Sequence, residues 1–207
     1  MKKSIAFAVV SMALVFPVTS FAQFGNFLGG SKPASSSTGA DLSGQQSQLT
    51  RTYRAAGKDV LTANGHIGAA LGIKAQAINA AATSDSMSAS DLEAQDKAIS
   101  ADAQAISDAL KSGATLKDEA ARKEYAEGLV VLVQGVKKYI AMSAEAQTFA
   151  NGLSSASPMQ LPGLQSGAYI VKSLPTSIGN LTGLLKNAVS FARSNGVAVP
   201  ADATSVL

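Results

Sequence analysis

The sequence predicts an all-α protein, an antiparallel bundle of about four long amphipathic helices with a flexible N-terminal lead and a flexible C-terminal tail. Three observations predict it. Apolar residues recur at steps of three and four over four long stretches, which is the helical period. Ala, Ser, Gly, Leu and Val dominate while Trp is absent, which suits closely packed helices better than a sheet. Cysteine is absent, so the fold must hold by packing alone.

The first twenty-two residues read as a secretory signal peptide. Lys2 and Lys3 supply a positive start, Ile5 to Phe16 form an apolar run, and Ser20-Phe21-Ala22 puts small residues where a signal peptidase cuts. The run is shorter than the roughly 20 apolar residues of a permanent span. Cleavage near Ala22 and a periplasmic or secreted location follow as expectations, with no transmembrane anchor. Residues 23–44 form a lead rich in Gly, Ser and Ala. Such a segment buries too little apolar area to offset its ordering entropy. Phe24, Phe27 and Leu28 stand out in it as candidate partner contacts.

The bundle domain is assigned to residues 45–196. Its first helix starts near Leu42 or Leu49 and buries Leu49, Tyr53, Ala56, Val60, Ala63, Ile67 and Ala70. Gly57, Gly65, Gly68 and Gly72 weaken it by about 1 kcal/mol each relative to Ala. Close approach of a second helix is the expected compensation, and the Gly68/Gly72 spacing fits tight packing within the bundle. After a break near Gly72 the helical pattern resumes through Ile73, Ala77, Ile78 and Ala81.

Ser90-Asp91-Leu92-Glu93 has the form of a capping box. The helix it opens carries Leu92, Ile99, Ala103, Ile106 and Leu110 inward and stops at Gly113. Thr115 is the expected cap of the next helix, which runs to Asn151-Gly152 with Tyr125, Leu129, Leu132, Val133, Val136, Ile140, Ala144 and Phe149 on its inner face. Leu129–Val133 is apolar all round, as a segment crossing the core would be. Residues 153–166 form a long loop, and Pro158 and Pro162 within it are candidate partner contacts. The last helix, about 168–195, has the stripe Ile170, Leu174, Ile178, Leu181, Leu185, Ala188 and Ala192, with Pro175 expected to kink or divide it. Residues 197–207 are expected to be a loose tail. Short turns between most patterns suggest up-down-up-down order.

Charge argues against nucleic acid as a partner. Loss of Lys2 and Lys3 with the leader leaves 15 basic against 14 acidic residues. The longest runs of basic residues after the leader are the pairs Arg122-Lys123 and Lys137-Lys138, short of a phosphate-binding cluster.

Candidate chemistry is sparse. His66 is the one histidine, and it could serve as a haem or metal ligand or a general base. Its place beside the apolar stripe fits an ordinary boundary residue better. A zinc site normally needs several ligands at suitable spacing. Nothing in the spacing pairs His66 with Met142 or Met159 as a bundle cytochrome would require. A catalytic triad would have to recruit it without a G-x-S-x-G elbow. The carboxylate pairs Asp118/Glu119 and Glu124/Glu127 read as solvated helix face, with Glu119–Lys123 an i,i+4 pair. The expected function is therefore that of an exported non-enzymatic envelope protein, a protein-binding or structural bundle. Its partner would be another envelope protein or a second copy of itself. Two alternatives stand beside it: a periplasmic carrier of a small apolar ligand or lipid, and an envelope hydrolase using His66.

Overall fold

A computed structural model describes residues 38–74 and 87–207. The signal sequence, Phe24, Phe27, Leu28, Ala77, Ile78 and Ala81 lie outside the described residues. Among those described there are five α-helices, two single 3₁₀ turns and no strand.

Helix α1 (Thr38–Leu71) carries the spine of the core. Every residue of its expected stripe, from Leu49 to Ala70, is buried. The helix begins earlier than composition suggested because Leu42 is buried against Gly152, which holds the Ser/Gly-rich segment in helical form. Gly72, at φ +74°, ends it, and the Ile73 N–H closes back on the Gly68 carbonyl at 2.8 Å.

Helix α2 (Ala89–Lys111) is capped by Ser88, not Ser90. Ser88 Oγ accepts from the Asp91 N–H (3.2 Å), and Asp91 Oδ2 accepts from the Ser88 N–H (3.0 Å). Both serines have an acid three residues on; the upstream box forms, and Glu93 instead pairs with Lys97 at 2.8 Å. Gly113, at φ +80°, ends this helix as expected. Helix α3 (Glu119–Ala141) is capped by Asp118, whose carboxylate accepts from the Ala121 N–H at 2.8 Å; Thr115 belongs to the loop whose Leu116 is buried.

The single helix expected up to Gly152 is interrupted once. Helix α4 (Ser143–Ser154) restarts after Met142, which is buried. Backbone bonds continue across the junction, from Met142 N–H to Lys138 O (3.1 Å) and from Ala146 N–H to Met142 O (2.9 Å), so α4 follows α3 without a loop. The inner face differs from expectation beyond Val136. Tyr139 is fully buried, whereas Ile140 is 38% exposed and Ala144 is exposed. Within Leu129–Val133, Val130 points outward, so this run lines the core on one side only.

Helix α5 (Gln165–Ser194) runs through Pro175 undivided. The residues after it are packed, unlike the loose tail expected. Val197 and Ala203 are buried, and Lys137 Nζ lies 2.6 Å from Asp202 Oδ2. Ala203 is fully buried, which the composition of the tail alone does not show.

Residue pairings fix the directions. Val60 meets Gly135 and Ile67 meets Gly128, so α3 is antiparallel to α1. Gln46 meets Gly167 and Tyr53 meets Ser173, so α5 is parallel to α1. Met87 meets Ser166, Asp96 meets Tyr169, and Ala103 lies beside Leu181, so α2 is parallel to α5. The order is up-up-down-up, with α4 continuing α3, and not up-down-up-down. Leu71 and Met87 therefore lie at opposite ends of the bundle, about 40 Å apart at 1.5 Å per helical residue.

Candidate functional site

Three local arrangements carry polar or reactive groups. The first is the connection between α4 and α5, where the sequence placed Pro158 and Pro162. Ser155 and Ala156 close the end of α4 by N–H bonds to the carbonyls of Gly152 (3.0 Å) and Leu153 (3.2 Å). Gln160 then closes a turn twice: its N–H donates to Ser157 O (2.9 Å), and its Oε1 accepts from the Ser157 N–H (3.1 Å). A 3₁₀ turn, Leu161–Leu164, follows with Pro162 inside it, where a missing N–H matters little.

The base of this loop is fastened from α1. The Gln46 amide donates to Gly163 O (2.9 Å) and accepts from Gly167 N–H (3.0 Å), one side chain bridging the loop and the start of α5. Leu164 is buried beneath it. Above this base, Pro158, Met159, Leu161 and Pro162 face solvent, with Met159 93% exposed. Four apolar side chains in five consecutive residues are thus displayed on a braced turn.

The second arrangement is a polar seam inside the bundle. Tyr53 of α1 donates to Asp96 Oδ2 at 2.7 Å, and Tyr169 of α5 donates to the same oxygen at 2.8 Å. With its proton committed, the Tyr53 oxygen is free to accept from Ser173 (3.1 Å) and Ser177 (3.3 Å), which flank Pro175. Tyr139 meets the Tyr53 ring edge-on at 5.1 Å. Burial pushes the Asp96 carboxyl above its ordinary range, opposed by the hydrogen bonds from Tyr53, Tyr169 and Ser173. Burial, with the Asp96 charge added, likewise raises the Tyr53 and Tyr169 hydroxyls. Beside Asp96, Tyr139, Ser177 and Asn180 is a cavity of about 20 Å³, room for one water. This seam joins α1, α2 and α5 in a single register. Its tyrosines are driven towards their neutral, unreactive form. Asp96 lies near the start of α2, where an acid is ordinarily solvated; the packing turns it inward.

The third arrangement surrounds His66. Its Nδ1 lies 2.6 Å from Glu124 Oε1, with both side chains part-exposed. Glu127, one turn along α3, brings a third donor group, and one donor atom from each of the three side chains lies within 4.8 Å of the other two. Glu124 is therefore not solvated helix face, as its neighbours in sequence suggested. Lys123 Nζ lies 3.9 Å from Glu127 Oε1 and not on Glu119. Met159 stands at the other end of the bundle from His66. A hydrolase would need a serine on the imidazole, and among the described residues its hydrogen-bond partner is the Glu124 carboxylate.

Among the described residues no helix is long and apolar enough to cross a membrane. Comparison of the chain with protein-family models, curated proteins and solved structures finds no match.

Proposed function

We propose that the protein is an exported, non-enzymatic helical bundle that binds another envelope protein through the α4–α5 loop. One observation carries this reading: apolar side chains from Pro158 to Pro162 stand exposed on a loop whose base is fixed by Gln46. A turn ordered before contact loses less conformational entropy on binding, so a small apolar patch gains affinity. Methionine suits such a role, being flexible and polarizable enough to fit a partner's groove. The lysine-led leader supports export.

The carrier alternative gains no comparable support. Tyr53, Tyr125, Tyr139 and Phe149 fill the space between the helices. Two larger hollows are open to solvent, one beside Gln45, Gln48, Ala144 and Glu145 and the other beside Lys186, Val189, Arg193 and Leu207, so neither encloses an apolar ligand.

The test is site-specific photo-crosslinking in the native cells, with a benzophenone amino acid at position 159 and, as control, at the exposed position 97. A discrete adduct from 159 alone, lost when Leu161 is changed to Asp, is the expected result. Equal adducts from both positions, or none from 159, would sink the proposal. Light scattering of the purified protein shows whether the adduct is a second copy instead.

A further inference from the structure

We infer that His66, Glu124 and Glu127 form a binding site for one divalent transition-metal ion of the zinc type, a clip tying α1 to α3. The inference rests on geometry that the α1–α3 crossing enforces, and it is independent of the loop reading. Glu124 and Glu127 are three residues apart on α3, so they project from the same face one turn apart. His66 reaches them from α1, and one donor atom from each of the three side chains lies within 4.8 Å of the other two.

The backbones are held close at this level. A Cβ built on Gly128 would lie 2.9 Å from His66 Cβ and 3.0 Å from the Ile67 backbone nitrogen, closer than side chains normally pack. Glycine at 128 is what lets the two helices approach here. The ligands therefore project from two rigid helices, which sets their spacing more precisely than loops would.

The donor set selects the ion class. One imidazole nitrogen with two carboxylates suits Zn²⁺ and its neighbours; Ca²⁺ and Mg²⁺ prefer all-oxygen shells. Ligand bonds of about 2.0–2.2 Å keep donor atoms roughly 3.0–3.6 Å apart. Glu124 would back away slightly from the imidazole. Glu127, an exposed side chain, would swing inward and exchange its distant Lys123 partner for the dication. Water would complete the shell on the open side, since His66 and Glu124 are 33% and 40% exposed.

The mature protein, stripped with chelator and dialysed, is titrated with zinc chloride alone by calorimetry, and its thermal unfolding is followed with and without zinc. One zinc per chain and a higher Tm are expected, because a ligand bound only by the folded state stabilises it. His66→Gln and Glu127→Gln should each weaken binding by about tenfold or more and abolish the Tm rise. Glu127 is exposed, so its variant tests the site without threatening the fold. Cobalt should give visible bands that both variants lose. The inference is overturned if zinc gives neither saturable heat nor a Tm rise. It is equally overturned if both variants bind zinc as the parent does, or if Mg²⁺ and Ca²⁺ bind as well as zinc.

Discussion

Gly128→Ala and Gly183→Ala make the same chemical change in helix interiors and should move stability in opposite directions. Alanine favours a helix over glycine by about 0.8–1.0 kcal/mol, so each variant begins with that gain. At Gly183, on the exposed face of α5, an added methyl meets nothing within 4 Å and the gain is kept. At Gly128 the new Cβ would lie 2.8 Å from Ile67 Cγ1, 2.9 Å from His66 Cβ and 3.0 Å from Ile67 N. Two of those three atoms belong to α1 close to its backbone and cannot rotate away, so the helices must part. Overpacking costs about 1–3 kcal/mol, and a contact that shifts a helix axis belongs at the upper end. The net expectation is a loss of about 2 kcal/mol for Gly128→Ala and a gain of about 1 kcal/mol for Gly183→Ala. Gly135 lies two turns further along the same face, with its Cβ position 2.8 Å from Val60 Cγ2. Separation of the helices relieves both clashes at once, so the Gly128/Gly135 double variant should lose less than the sum of the single losses. Urea unfolding followed by far-UV circular dichroism measures the parent, the three single variants and the double variant. A Gly128→Ala variant as stable as the parent would refute the close α1–α3 crossing from which the packing argument starts.

Asp96→Asn tests the polar seam. The folded pKa of Asp96 is raised, so the contribution of this group is fullest below its unfolded pKa and is lost as pH rises through the folded one. The stability of the parent relative to Asp96→Asn should therefore increase as pH is lowered from 7 towards 4, and a flat difference in unfolding free energy would contradict the assignment. Gln46→Ala removes both bonds at the base of the α4–α5 loop. It should cost about 1–2 kcal/mol and speed hydrogen exchange at the Gly167 amide, while leaving amides in the middle of α3 unchanged. Ser88→Ala should cost about 1 kcal/mol through loss of the α2 cap, with Ser90→Ala close to neutral; the reverse order in thermal unfolding would restore the downstream capping box.

Periodic features were legible in the sequence. The α1 stripe, the α5 stripe apart from the half-buried Ile178, and the glycine stops at Gly113 and Gly196 all follow from rules acting within one helix. What the sequence left obscure depends on contacts between helices. Two adjacent S-x-x-acid patterns cannot be ranked without knowing where the chain enters the bundle. Tyr139 and Ile140 are neighbours with similar apolar content, and after Val136 the steps of three and four admit either; packing against Tyr53 of α1 selects Tyr139 as the inward one. The parallel direction of α2 was hidden because short connections were assumed where Leu71 and Met87 lie at opposite ends. Of the α1 glycines singled out for close packing, Gly57 does lie against the Gln95 side chain of α2, whereas Gly65 has open space around it and Gly72 serves the helix end. The glycines that bring α1 and α3 together are Gly128 and Gly135, which sit unremarked in the partner's apolar face. For the candidate site, Pro158 and Pro162 were legible as loop punctuation. Met159 was not, since nothing in a sequence says that a methionine is exposed. Glu124 joins His66 only through the antiparallel register, fifty-eight residues away along the chain.

Helix α1 connects the two proposed sites, and its geometry says how they should interact. Gln46 holds the loop near one end, and His66 faces Glu124 twenty residues later, about 30 Å away along a helix rising 1.5 Å per residue. Between them Tyr53 fixes α1 to α2 and α5 through Asp96 and the two serines. Zinc at His66 can alter partner affinity at Met159 only if it favours one of two arrangements of the elements between the sites. The seam works against such alternatives, because sliding α1 would break the Tyr53 bond to Asp96 and leave a buried carboxylate with one donor fewer. The expected result is partner binding through Met159 that is equal with and without zinc, and zinc affinity that is equal with and without partner. Linkage requires the two couplings to match, so a zinc effect on partner binding, reproduced as a partner effect on zinc, would show that α1 moves as a lever. Loss of that effect in Asp96→Asn would place the moving contact at the seam.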